Sequence, residues 1–183
     1  MDDINTPIFV DFEFQEGSLQ ESCKILETGL VSVEMLAWGG FFVGNFYLKF
    51  GPVDFSLLDG IHDNEPFPLA WLLGSLSYVA NELHENALPS YTLYSLGGQF
   101  CFEFRQLDRD RAEISELVNE PRRVATFAIY EFLSAVNSAC AKFLDSVLGS
   151  ERHLRPENLQ VLQLYFSNKF DELNSLERRL GLR

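Results

Sequence analysis

The sequence predicts an α+β fold in which a mainly antiparallel sheet of about five to seven strands comes first and long helices follow. Several segments in the first two thirds of the chain alternate between polar and apolar side chains, and apolar residues recur at helical spacing in the last third. With 183 residues, the chain is long enough to bury a sizeable core without disulfides or metals. We therefore expect a single domain over 1–183, with the sheet and one crossing helix (67–86) in 1–120. A C-terminal antiparallel helical hairpin (121–183) is expected to pack on that sheet.

The first predicted element is a strand over residues 8–15. Ile8 and its even-numbered successors are apolar, while two of the intervening residues are acidic, which is typical of a strand with one buried face. Ser18 to Glu21 then fits a helix capping box. The stretch that continues to Glu27 is too short and mixed to be assigned.

A hairpin and one more short strand are predicted next. Residues 31–35 alternate, and residues 41–50 are aromatic and rich in β-formers. Trp38-Gly39-Gly40 lies between these runs and reads as their turn. After the Gly51-Pro52 break, residues 53–58 predict a further strand.

The middle of the chain predicts one helix and one further hairpin. Prolines suit the first turn of the helix at 67–86, and its apolar residues recur at helical spacing. Residues 91–96 and 99–106 flank Gly97-Gly98 and form the clearest hairpin in the sequence. The charged segment 107–119 is compatible with either a solvated connection or one more edge strand.

Two long helical patterns predict the C-terminal hairpin. The first begins at Pro121, and its apolar stripe comprises Val124, Phe127, Ala128, Phe132, Val136, Cys140, Phe143 and Val147. The second follows Pro156, and its stripe comprises Leu159, Leu162, Phe166, Phe170, Leu173, Leu176 and Leu180. Neither stripe is buried by the hairpin alone, so both helices must dock on the sheet or on a partner.

Charge is distributed unevenly along the chain. Residues 1–106 contain 15 acidic and three basic side chains, a net charge of −12, whereas residues 107–183 contain 12 acidic and 11 basic ones, a net charge of −1. A negative field repels the phosphates of nucleic acids and anionic membranes, so the chain is predicted to bind neither. The field would steer a cationic protein towards the N-terminal half. The alternative is that the acidity only keeps a Phe-rich protein soluble.

Two adjacent arginines are expected near the start of the first C-terminal helix. Positive charge is unfavourable at a helix N-terminus, so Arg122 and Arg123 need acidic partners. We expect them to pair with Glu116, Glu120 or an acid of the N-terminal half.

The chain is predicted to be cytoplasmic and to carry neither a metal nor a cofactor. It begins Met1-Asp2-Asp3, which is acidic where a secretory signal is basic, and no apolar run is long enough to cross a bilayer. Cys23, Cys101 and Cys140 are odd in number, far apart and outside any CxxC pair. We expect them to be reduced and mostly buried. No GxSxG motif or phosphate-binding glycine loop is present, and no enzymatic activity is predicted.

One polar loop contains residue types that can support chemistry. Its acids and its histidine are Asp54, Asp59, His62, Asp63 and Glu65. Carboxylates and an imidazole can hold a divalent metal, but this spacing matches neither a calcium loop nor a catalytic zinc site. The other interpretations are a solvated loop with one acid near the N-terminus of the next helix, and contact with a partner.

The chain combines small size and strong acidity with a Phe-rich sheet, two terminal helices and the lack of a catalytic motif. In this combination the chain resembles the immunity proteins of bacterial contact-dependent and polymorphic toxin systems. The resemblance implies that the protein binds a cognate toxin domain, often a basic nuclease, and blocks its active site or an essential surface.

The predicted function is that of a non-enzymatic acidic protein that neutralises a cationic protein partner. Its acidic face is drawn mainly from residues 11–65. The predicted partner-binding residues are Glu27, Glu34, Asp54, Asp59, His62, Asp63 and Glu65. The alternative is an enzyme domain that binds a small ligand or a metal through the region 54–65.

Overall fold

The strands of the protein are divided between two antiparallel sheets. The computed structural model describes residues 7–58, 67–85, 87, 89–94, 100–118 and 121–182. Within those residues it contains two four-stranded sheets and six helices, which confirms the α+β class. The expectation of one sheet with five to seven strands is wrong. The described part of the chain has eight strands in two sheets, and two of these strands are only two residues long.

The first sheet is built around one long strand. Its strands are β1 (Ile8–Phe14), β2 (Val43–Phe50), β3 (Val53–Asp54) and β4 (Phe67–Pro68). β1 pairs with β2 over its whole length, and β3 and β4 pair with opposite ends of β2. Gly44 is required in β2 because a Cβ there would lie 2.0 Å from the carbonyl oxygen of Glu13. The strand predicted at 8–15 is confirmed.

The second sheet is a meander in which each strand pairs with the next. Its strands are β5 (Ser90–Tyr94), β6 (Cys101–Gln106), β7 (Arg111–Glu116) and β8 (Val124–Ala128). The predicted hairpin at 91–106 is confirmed by the β5–β6 pairing, and the turn predicted at Gly97-Gly98 lies outside the described residues. The charged segment 107–119 contains an interior strand, β7, because Ala112 and Ile114 alternate into the core.

Helices of different lengths pack on these sheets. They are α1 (Ser18–Thr28), α2 (Val33–Trp38), α3 (Leu69–His84), α4 (Ile129–Leu148), α5 (Pro156–Phe166) and α6 (Phe170–Arg179). The helix predicted at 67–86 is confirmed as α3. It packs most extensively against α4, and both contact the first sheet, so two long helices occupy the position expected for one.

Phenylalanine rings join the two sheets in one core. Phe50 of β2 lies 4.8 Å from Phe127 of β8, and Phe55, just after β3, lies 5.7 Å from Phe102 of β6, measured between ring centroids. Phe132 of α4 adds a third layer at 5.0 Å from Phe127. All five rings are buried, and such ring pairs each contribute about 0.5–1.5 kcal/mol beyond the area they bury.

Residues 33–38 form helix α2 and not the first arm of the predicted hairpin. The hydroxyl oxygen of Ser32 accepts a hydrogen bond from the backbone N–H of Met35 at 3.2 Å and caps the helix. A six-residue helix is too short to show a helical period, so the alternation at 31–35 was misleading. The stretch that the sequence left unassigned before Glu27 belongs to α1.

The helix predicted from Pro121 begins later, at Ile129. The residues before it form β8, along which exposed and buried side chains alternate. Pairing with β7 completes the second sheet. This long-range pairing overrides the helical spacing of Val124 and Phe127.

The predicted C-terminal hairpin is only partly correct. Two helices, α5 and α6, follow Pro156, because Asn168 adopts a left-handed φ of 56° and ends the first of them. In addition, α4 packs mainly against α3 and only to a small extent against α5. Region 121–183 therefore supplies one strand and three helices.

Candidate protein-binding surface

The structure describes three of the seven residues that the sequence assigns to partner binding. Glu27 lies on α1, Glu34 on α2 and Asp54 on β3. Asp59, His62, Asp63 and Glu65 lie outside the described residues. The three described acids occupy different surroundings and are taken in turn.

The carboxylate of Asp54 is already bound by other residues of this protein. Its carboxylate accepts a hydrogen bond from the backbone N–H of Ser56 at 2.8 Å and lies 2.9 Å from the Lys49 ammonium. Partial burial alone would raise the pKa of Asp54, but the bonds from Ser56 and Lys49 outweigh burial and hold the pKa below its usual range. The carboxylate is therefore ionised and already partnered at neutral pH.

The backbone of Asp54 also belongs to a contact between the two sheets. Its carbonyl oxygen accepts a hydrogen bond from Arg123, which lies just before β8. The same guanidinium donates to both carboxylate oxygens of Glu116, at 2.5 and 2.7 Å, and stands 5.5 Å from the centre of the Phe55 ring. We call Asp54, Phe55, Glu116 and Arg123 the Arg123 cluster. It links the end of β7 to β3.

The neighbouring Arg122 is paired as well. Its guanidinium lies 3.2 Å from the Glu103 carboxylate and donates to the Ser115 hydroxyl at 2.7 Å. The expectation that Arg122 and Arg123 pair with Glu116 or with an acid of the N-terminal half is confirmed. The expectation that both lie in the first turn of a helix is wrong, because they precede a strand.

Further ion pairs join acids of the N-terminal half to bases of the C-terminal half. Glu27 pairs with Arg152 at 2.9 Å, and Asp11 of β1 pairs with Lys142 of α4. The charge asymmetry along the sequence is thus partly neutralised in the folded protein. Acids that lack such a partner are the better candidates for a binding surface.

Glu34 lies beside two exposed apolar side chains of the same short helix. Met35 and Trp38 on the same helix are 43% and 61% exposed. Glu34 is exposed too, and it forms no ion pair with any residue that the structure describes. We call Glu34, Met35 and Trp38 the α2 face. A carboxylate beside an accessible tryptophan can combine electrostatic attraction with an apolar anchor.

Buried polar groups fix the start of the α2 face. The amide of Asn158 donates to the carbonyls of Leu26 and Gly29, each at 2.7 Å, and its oxygen accepts the backbone N–H of Val31 at 2.9 Å. Glu177, on α6, accepts the N–H of Val33 at 2.8 Å. Asn158 and Glu177 are fully buried, so the segment before and into α2 has little freedom.

Three more exposed acids surround the turn between β1 and α1. They are Glu13, Glu16 and Glu21, and we call them the acidic corner. Glu13 accepts a hydrogen bond from the Tyr47 hydroxyl at 3.1 Å. Burial and then Glu13 raise the pKa of Tyr47, so the phenol stays neutral and donates to the carboxylate. Glu21 lies in the first turn of α1, where negative charge complements the helix dipole.

The cysteines are poorly suited to nucleophilic chemistry. All three are free; Cys23 and Cys140 are buried, and Cys101 is partly buried. Burial raises the pKa of each thiol, to about 12 for Cys140, which suppresses the reactive thiolate. The described part of the chain contains no group of three histidine, cysteine or acidic side chains that could hold a metal ion.

Comparison with known proteins gives no relative for this chain. No protein family, no curated protein and no solved structure matches it. Among the described helices, none has both the length and the apolar character needed to cross a membrane.

Sequence reasoning selected Glu34 but missed Met35 and Trp38. It assigned Met35 to a strand and Trp38 to a turn, and neither assignment indicates exposure. The available signal was Ser32 followed by six residues free of glycine and proline, which suits a capped helix.

Proposed function

We propose that the protein is a non-enzymatic binding protein that neutralises a cationic protein partner. The observation that carries the proposal is the α2 face, where Trp38 is 61% exposed on a firmly held helix beside Glu34, which pairs with none of the described basic residues. Tryptophans that are exposed in a free protein and become buried in a complex are typical centres of binding energy. The more specific proposal is that of a cytoplasmic immunity protein that blocks a bacterial toxin domain.

Physical considerations support this assignment. A stable interface needs about 1,600 Å² of buried surface and a few strong anchors, and Trp38 with Met35 supplies one such anchor. The net charge of −13 accelerates encounter with a basic protein. Glu34 and the acidic corner carry charges that the described residues do not neutralise through ion pairs. Four further residues are kept in the proposed partner-binding set only because of their charge or polarity: Asp59, His62, Asp63 and Glu65.

The alternative, an enzyme domain built on the region 54–65, has less support. Its first member, Asp54, already pairs with Lys49 and Ser56, and its carbonyl binds Arg123. A metal or ligand would have to displace these contacts to use the Asp54 carboxylate. We therefore place Asp54 in the structural framework and leave the binding role to other acids.

The test first asks whether a neighbouring reading frame encodes a basic polypeptide, and uses such a polypeptide as the candidate partner. We expect the protein to bind it, to abolish its toxicity on co-expression, and to lose affinity by about tenfold or more with Trp38→Ala. Leu148→Ala is the matched control, because Leu148 is an apolar residue of similar exposure (58%) at the end of α4. An equal loss of affinity with both variants, or no loss of affinity with Trp38→Ala, would remove the α2 face from the proposal.

A further inference from the structure

A second surface lies between the first strand and the longest helix. Its lining comprises Pro7, Ile8, Tyr130, Glu131, Ser134 and Ala135, and its volume is about 540 Å³. We call it the β1–α4 groove. Small side chains at Ser134 and Ala135 form part of its helical wall, and Tyr130, 73% exposed, stands at its rim.

The strand wall of this groove is β1, which is an edge of the first sheet among the residues that the structure describes. β1 pairs only with β2 among the described strands. The backbone oxygen of Pro7 accepts from Gly51, and the N–H of Gln15 donates to Val43, so odd-numbered residues exchange hydrogen bonds with β2. The N–H and C=O groups of even-numbered residues in β1 therefore point away from β2.

One end of this edge is closed. The N–H of Phe12 donates to the Asp11 carboxylate at 2.8 Å, and Lys142 of α4 contacts that carboxylate while its ammonium lies 5.0 Å from the centre of the Phe12 ring. The Asp11 carboxylate on the edge strand and the lysine that reaches it from α4 prevent further strand pairing at that point. At the other end, no described residue bonds to the N–H of Ile8 or Val10.

We propose that the β1–α4 groove binds a short extended basic segment of the cationic partner, which adds as a strand to Ile8–Val10. This inference rests on the proposed function, because it names the part of that partner which docks here. The open backbone groups recognise an extended chain, and the wall formed by α4 receives alternate side chains, as in other cases of strand addition.

The charge of the groove indicates which kind of segment binds there. Glu131 lines the groove and has no ion pair with any described residue, so a lysine or arginine of the bound segment satisfies it. A second copy of this chain carries a net charge of −13 and is repelled by Glu131, whereas a basic segment is attracted.

The test titrates the full ¹⁵N-labelled chain with the peptide acetyl-Thr-Val-Lys-Val-Lys-Val-Thr-amide. We expect saturable changes at the backbone amides of Ile8 and Val10 and at residues 131–135. The same peptide with glutamate for both lysines, or with alternate backbone nitrogens methylated, should not bind, because one loses the charge and the other the backbone donors.

Two variants that make the same charge change distinguish a local contact in the groove from general electrostatic attraction of the peptide. Glu131→Lys should weaken peptide binding by about fivefold or more. Asp145→Lys, on an exposed position of the same helix, should bind nearly as tightly as the wild type. Ser134→Trp, which fills the groove without changing charge, should also prevent binding.

Other outcomes would overturn the inference. They are unchanged amide signals of Ile8 and Val10 on addition of the peptide, or equal losses of peptide affinity with Glu131→Lys and Asp145→Lys. Full binding by the methylated peptide, or a dimer of the protein that occupies the groove, would also overturn it. Titration with the whole cationic partner separates the two proposals. If that partner binds the wild type and Glu131→Lys equally well, the groove inference fails and the proposed function stands. If no cationic partner binds, the proposed function fails, and the peptide result still decides whether the groove accepts a basic strand.

Discussion

The Arg123 cluster and the α2 face use acidic side chains in opposite ways. In the cluster, the Glu116 side chain is 2% exposed, and both of its oxygens accept bonds from Arg123. On the α2 face, Glu34 is exposed beside Met35 and Trp38 and forms no ion pair within the described residues. The difference teaches that an acidic residue is a useful candidate for a binding surface where the described residues leave its charge unpaired and place an apolar side chain next to it.

The largest effect is expected for a substitution in the core beneath the Arg123 cluster. Phe127→Ala should lower the free energy of unfolding by about 3–5 kcal/mol, because the ring is buried against Phe50 and Phe132. Val124→Ala, on an exposed position of the same strand, should cost no more than about 0.5 kcal/mol. Urea unfolding measures both values. A loss below about 1 kcal/mol for Phe127→Ala would show that the two sheets do not share this core.

The next effect concerns the Arg123 cluster itself. Arg123→Met should destabilise the protein by about 3 kcal/mol, because it leaves the buried Glu116 without its guanidinium partner. Adding Glu116→Leu should recover part of that loss. Arg105→Met is the control, since it breaks a more exposed pair with Glu113 and should cost less than about 1 kcal/mol. Equal losses for Arg123→Met and Arg105→Met in thermal unfolding would mean that the cluster is no more important than a surface pair.

A smaller effect, on binding and not on stability, is expected for the α2 face. Glu34→Lys should slow association with the proposed cationic partner by about fivefold at low salt and leave the melting temperature nearly unchanged. Glu151→Lys makes the same charge change on another exposed position and controls for net charge. Stopped-flow association at low and high salt distinguishes them. If the two variants slow association equally, only net charge matters and the α2 face has no special role.

The smallest effect is confined to acidic pH. Because Ser56 and Lys49 hold the pKa of Asp54 below its unfolded value of about 3.9, its stabilisation is present above that value and is lost as pH falls through the folded pKa. The stability difference between wild type and Asp54→Asn should stay constant from pH 7 to about pH 5 and shrink below about pH 4. Unfolding measured across this range checks the prediction. A difference that grows on acidification would contradict it.

Elements with a strong local pattern were predictable from the sequence. α3, β1 and the β5–β6 hairpin have clear periodicity or paired turn glycines. β8 was not predictable in this way, because its strand character depends on β7, and the sequence allowed β7 itself to be a loop. α2 was missed because a Ser32 cap and buried contacts with Asn158 and Glu177, both more than 120 residues away, hold it in place.

The candidate surface was predictable only in part. Charge alone pointed to Glu34, and the need for counter-ions pointed to the partners of Arg122 and Arg123. Charge also selected Asp54 and Glu27, which are paired within the protein. Their pairing depends on how distant segments meet in space, and so does the exposure of Trp38.

Fluorine NMR of Trp38 tests the central claim most directly. The chain has two tryptophans, so labelling with 5-fluorotryptophan gives two signals, and Trp71→Phe assigns the one from Trp38. We predict that adding the cationic partner shifts the Trp38 signal and removes its sensitivity to solvent, because the indole becomes buried in the interface. Binding of the partner with an unchanged, solvent-sensitive Trp38 signal would contradict the account.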